Sequence, residues 1–163
     1  MRVMNGKKPR AATAPRVAAP RPRGARNGAL GRAKATGGAG RILIVEDDFL
    51  VASAMEDALR DAGLQVAGIA ASADEALALA AAEKPALAVM DVRLRGGRDG
   101  IDAALELFAR HGVRVVFATA HQTPDARARA APANPLAWVP KPYASATLVD
   151  IVRRAVRDVS SAK

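Results

Sequence analysis

Residues 41–48 read RILIVEDD, and the fold turns on that stretch. The apolar run is too short for a helix and is followed at once by acids, so it reads as a strand buried in a parallel sheet. Four more short apolar runs follow: LQVAGIAA (64–71), ALAVM (86–90), VRVVFA (113–118) and LAWVP (136–140). Helical patterns separate them. Residues 49–62 space Leu50, Ala54, Leu59 and Ala62 along one face and stop at Gly63, a good helix terminator. Ser72 is placed to cap a helix over 74–83, with Glu75 three residues on as in a capping box, and Pro85 ends it. Residues 100–111 carry Ile101, Ala104, Leu105 and Phe108 on one stripe, closed by Gly112. Pro124, Pro132 and Pro135 leave room for only a short helix before the fifth strand. Residues 145–159 form a last amphipathic helix, with Ser145 as its expected cap.

Strands alternating with helices predict an α/β fold, a five-stranded parallel sheet covered on both faces. At 163 residues, one domain with one core is expected. Half the residues are apolar but only 3% are aromatic, so that core must be packed from Ala, Val, Leu and Ile. The chain has no cysteine, which excludes disulfides and thiolate metal sites and fits a reducing compartment. With no secretion signal and no long uncharged apolar run, a cytoplasmic protein without a membrane span is the simplest expectation.

The formal charge of +9 divides unevenly. Residues 1–40 hold ten Lys or Arg and no acid, whereas residues 41–163 hold fifteen basic and sixteen acidic residues, a net charge of −1. Nucleic acid is therefore not expected as a partner of the folded part. The tail, rich in Pro, Gly, Ala and Arg with no periodic apolar face, is expected to be disordered, with a reach of roughly 35 Å. It reads as an electrostatic arm for nucleic acid, an anionic membrane or an acidic partner, or as a solvated extension or an upstream-assigned start; no aromatic is interleaved to stack on bases.

In such a sheet ligands bind beyond the carboxyl ends of the strands. Glu46, Asp47 and Asp48 follow the first strand, Asp91 the third, Thr119 the fourth and Lys141 the fifth. If the strands run in the order 2-1-3-4-5, the first and third are neighbours and their carboxylates meet on one edge. Clustered carboxylates repel unless a cation sits among them, and oxygen donors of this kind suit Mg²⁺. Asp91 would then act as a nucleophile toward phosphorus, with Lys141 and Thr119 contacting the phosphoryl oxygens. Taken singly, an Asp after a strand is an ordinary turn residue and a Lys before Pro an ordinary solvated one; their coincidence on one sheet edge carries the reading. Asp48 reads as the cap of the first helix, and His111 and His121 as structural residues.

ILIVEDD, AVMD, FATA and WVPKPY, each ending a strand and in this order, resemble the receiver domains of two-component response regulators, with the flavodoxin-like doubly wound fold. The resemblance covers 41 to about 160, leaving 1–40 as tail. It implies that Asp91 is the phosphoacceptor; that Asp47 and Asp91 ligate Mg²⁺, with Glu46 acting through water and the carbonyl of Arg93 as a further ligand; that Thr119 and Lys141 contact the phosphoryl group; and that Lys141-Pro142 is a cis peptide. Trp138 matches the aromatic that switches with Thr119, where the family usually has Tyr or Phe. The loop RLRGGRDG (93–100) departs from the family by one extra residue and by three arginines, Arg93, Arg95 and Arg98, expected to alter the lifetime of the phosphoryl group. The proline-broken segment after Thr119 is expected to reshape the usual signalling face.

The function expected is that of a stand-alone, non-enzymatic receiver, loaded by a histidine kinase or phosphotransfer protein and signalling to an output protein by contact, with no output domain of its own. Two alternatives stay open. One is a Mg²⁺-dependent phosphohydrolase with an aspartyl-phosphate intermediate, which would need a second acid two residues after Asp91. The other is a degenerate receiver used only as an interaction module.

Overall fold

The computed structural model describes residues 40–162. The expectations for the basic tail, residues 1–39, lie outside the described residues. Five strands, β1 (Ile42–Val45), β2 (Val66–Ala70), β3 (Leu87–Met90), β4 (Arg114–Thr119) and β5 (Ala137–Pro140), alternate with α1 (Phe49–Asp61), α2 (Ala73–Glu83), α3 (Gly100–His111), α4 (Pro124–Ala130) and α5 (Ser145–Ser161). A single 3-10 turn, Ala131–Ala133, extends the short α4. Every strand pair is parallel, as the alternation predicts, and the order is β2-β1-β3-β4-β5, as the resemblance to receiver domains implies.

The strands read as apolar runs because both sheet faces are covered. Leu43, Val45, Ala88, Met90, Val115 and Phe117 point into a core shared with α2 and α3, while Ile42, Ile44, Leu87, Val89, Val116 and Ala118 point into one under α1 and α5. All four residues of β1 are fully buried, which stabilises the fold by roughly 1.5–3 kcal/mol per side chain relative to exposure. The cores are packed mainly from Ala, Val, Leu and Ile, with Phe117 the largest fully buried side chain.

The caps expected at Asp48 and Ser72 form, and Asp99 and Thr123 supply two more that were not expected. Asp48 accepts from the N–H groups of Leu50 and Val51, Ser72 from Glu75, Asp99 from Asp102 and Thr123 from Ala126. Glu75 reaches back to the Ala71 N–H at 2.8 Å, one residue before the cap. Ser145 is different: it is the first residue of α5, and Ala144 stands at the cap position with no side-chain hydrogen bond.

The helix faces also need correction. The buried stripe of α1 is Ala52, Met55 and Leu59, whereas Leu50 is 76% exposed and Ala54 is exposed too. Apolar residues surround most of this helix, so the pattern alone leaves its rotation open, and the longer Met55 takes the inward place. In α3 the fully buried residues are Ile101, Ala103, Ala104 and Leu107, with Leu105 and Phe108 flanking them.

Candidate functional site

Parallel pairing sets the carboxyl ends of β1, β3, β4 and β5 side by side. The ladder continues past the strands: the Asp91 N–H donates to the Val45 carbonyl and the Glu46 N–H to that of Ala70, each at 2.9 Å. Those bonds fix the backbone from which two carboxylates project. Opposite them, the Lys141 N–H donates to the Thr119 carbonyl at 3.1 Å, and Lys141-Pro142 is cis.

Lys141 closes the cluster. Its Nζ donates to Glu46 Oε2 at 2.5 Å and to Asp91 Oδ2 at 2.7 Å, bridging residues from three strands. Glu46 is only 3% exposed, and burial raises its carboxyl above the ordinary range against the pull of Lys141. Burial alone would lower the Lys141 ammonium, but hydrogen bonds from it to Asp91 and Glu46 outweigh that and hold it above its usual value. The lysine is thus a fixed cation aimed at Asp91. The other oxygen of Asp91, Oδ1, accepts from the Arg93 N–H at 3.1 Å.

Thr119, fully buried, ends β4, and its Oγ1 accepts from the His121 N–H at 3.1 Å. Trp138 lies in β5 opposite Phe117, stacked on its ring at 4.4 Å between centroids, with the Arg127 guanidinium 4.9 Å above the indole. Thr119 and Lys141 therefore flank the carboxylates, while Trp138 packs against the α2–α3 core three residues upstream. Asp47 faces the β3–α3 loop, where Arg95 Nε donates to its Oδ2 at 3.2 Å.

Among the described residues no group of three or more His, Cys, Asp or Glu side chains is gathered tightly enough to cage a cation by itself. Glu46 is turned to Lys141 and Asp47 to Arg95. The donors fit Mg²⁺ nonetheless, because that ion keeps most of its water and needs only one or two carboxylates. Asp47 and Asp91, oxygen donors following the neighbouring strands β1 and β3, would supply such carboxylates.

Three contributors had no signal in the apolar pattern. Gly100 opens α3 against the site: a Cβ there would lie 1.9 Å from the Asp91 carbonyl oxygen. The Asp-Gly pair was visible, but its use as a spacer was not. Arg95 and Arg127 meet partners 48 and 11 residues away in the chain, Asp47 and Trp138, which only the folded topology brings near.

A family model described as the response regulator receiver domain matches residues 42–153. The chain is 36% identical over 116 residues to the transcriptional regulatory protein PdtaR of Mycobacterium tuberculosis, covering 71% of this chain and 56% of that protein. Over 134 residues it is 31% identical to the phyllosphere-induced regulator PhyR of Methylorubrum extorquens, covering 82% and 49%. The chain thus spans about half the length of the curated relatives it matches. The signal receiver domain of a modulated diguanylate cyclase from Desulfovibrio desulfuricans matches with a TM-score of 0.70 at 30% identity, over 76% of this chain and 98% of that one.

Proposed function

The chain belongs to the response regulator receiver family, and from that premise we propose that it takes a phosphoryl group onto Asp91 from a histidine kinase or phosphotransfer protein and signals through protein contacts. The receiver would span 41–160. One observation carries the reading: Lys141 Nζ stands 2.7 Å from Asp91 Oδ2, a cation held where phosphoryl oxygens would arrive.

The step is a transfer between two nucleophiles. An oxygen of Asp91 attacks phosphorus as the P–N bond of a phosphohistidine donor breaks, and the bonding pair leaves on the imidazole nitrogen. Lys141 then exchanges its bond to Asp91 for one to a phosphoryl oxygen, and Thr119 turns its hydroxyl to another. Hydrolysis of the acyl phosphate by water regenerates the Asp91 carboxylate and frees inorganic phosphate. Receiver domains bind Mg²⁺ at the phosphorylation site. In this chain Asp47 and Asp91 would hold it directly, Glu46 through water and Arg93 by its carbonyl. When bound, the ion offsets charge on the transferring group. Thr119 and Trp138 would relay occupancy toward β5, and the location expected is the cytoplasm.

An enzyme whose main product is free phosphate is less well supported, because the residue two positions after Asp91 is the exposed Arg93, not an acid. Incubating the chain with Mg²⁺ and a small phosphodonor should add one phosphoryl group by intact mass, lost in Asp91→Asn. No adduct with any donor would leave a bare interaction module. Rapid multiple turnover would point to the phosphohydrolase.

A further inference from the structure

The β3–α3 loop, residues 91–99, is anchored at several points. Leu94 turns inward and packs against the α2–α3 core. Gly96 then bends the chain at φ +105°, a conformation that side-chain-bearing residues rarely adopt. Beyond it Arg98 is tied down twice, to Asp74 of α2 and to Glu106 of α3. The residue held between these anchors is Arg95. Its guanidinium reaches over to β1's end and pairs with Asp47 Oδ2 at 3.2 Å, although the arginine side chain is 79% exposed and that of Asp47 only 26%.

We propose that Arg95 is a tethered competitor of the divalent cation: it occupies Asp47 when the metal is absent and must swing out when the metal binds. This rests on the reading of Asp47 and Asp91 as metal-holding carboxylates. The charges make competition unavoidable. Glu46, Asp47 and Asp91 bring three negative charges, and Lys141 already neutralises part of the Glu46–Asp91 side, so Asp47 is the carboxylate left for an incoming cation. An exposed arginine pair is weak enough for a dication to displace, yet its repulsion of that dication persists at short range. Arg95 therefore lowers cation affinity without blocking the site, and its release couples metal binding to the position of the loop.

The test is calorimetric titration of the full chain with Mg²⁺ alone, with no phosphodonor. Arg95→Gln should bind Mg²⁺ about three- to tenfold more tightly than wild type. Arg98→Gln serves as the loop control, because its guanidinium is engaged by Asp74 and Glu106, and it should stay within about twofold of wild type. If wild type binds Mg²⁺ and Arg95→Gln binds it no more tightly, the competitor role is wrong while the metal site stands. Equal tightening in both variants would assign the effect to loop charge or loosening and would also overturn the proposal. If neither wild type nor Arg95→Gln binds Mg²⁺, the reading of the carboxylates fails, and the proposal with it.

Discussion

At the scale of single residues, the site depends on Lys141 and Gly100 in opposite ways. Lys141 was legible, because a lysine at a strand end facing acids at two others has an electrostatic reason to be there. Gly100 contributes only by lacking a side chain, which no pattern of charge or hydrophobicity reports. Alanine is the better helix residue by about 1 kcal/mol, so propensity alone predicts that Gly100→Ala stabilises α3. The backbone predicts the reverse, since a Cβ 1.9 Å from the Asp91 carbonyl oxygen cannot be relieved by rotating a flexible side chain. Overpacking of this kind costs about 1–3 kcal/mol. Gly100→Ala should therefore lower stability in urea unfolding and slow phosphoryl uptake at Asp91. A stabilised variant with unchanged uptake would show that α3 shifts freely and that the close approach does not position the acid.

At the scale of elements, the links between helices were the least legible, because they join side chains distant in sequence. Asp99 caps α3 through the Asp102 N–H and also accepts from Arg129 of α4 at 2.9 Å, while Arg129 reaches Asp102 at 3.2 Å. Burial alone would raise the Asp99 carboxyl, but the Asp102 N–H and the Arg129 guanidinium outweigh it and hold it below its ordinary value. A depressed carboxylate adds stability above its unfolded pKa and loses that stability as pH falls through the folded one. Asn retains a capping oxygen but not the charge. Asp99→Asn should thus be less stable than wild type at neutral pH, by about 1 kcal/mol or less given the exposure of Arg129, and the two should converge in strong acid. Urea midpoints measured from neutral to acid pH check this; a constant difference would mean that the cap matters and the charge does not. The rotation of α1 was hidden for another reason: with apolar residues on most sides, hydrophobic periodicity has no single answer, and packing on the sheet chose Met55 over Leu50.

At the scale of the whole molecule, the parallel sheet was readable because βαβ connections leave few topologies, while the strand order that gathers four strand ends came from the resemblance to receiver domains. What lies on the outside was not, since an exposed apolar residue looks the same in sequence as a buried one. Phe49 and Leu50, 77% and 76% exposed, stand at the start of α1 immediately after the acids of β1. Leu50 lines a groove of about 630 Å³ between α1 and α5, with Met55, Tyr143 and Leu148 along it and Lys141 at the site. A large apolar pair beside the site gains nothing for the fold, and contiguous exposed apolar surface marks contact with partners. On the proposed reading, a protein donor would bring its phosphohistidine within bonding distance of Asp91 and would have to cover this rim, whereas a small phosphodonor would not. Phe49→Ser combined with Leu50→Ser should leave stability within about 0.5 kcal/mol, as for most surface changes, and leave uptake from a small phosphodonor within about twofold. Loading from a phosphorylated histidine-protein donor that serves the wild type should fall by about tenfold or more, the loss expected when a central apolar contact of an interface is removed. Equal rates with the protein donor would move the docking face off α1, and equal losses with both donors would mean that the two residues support the site itself.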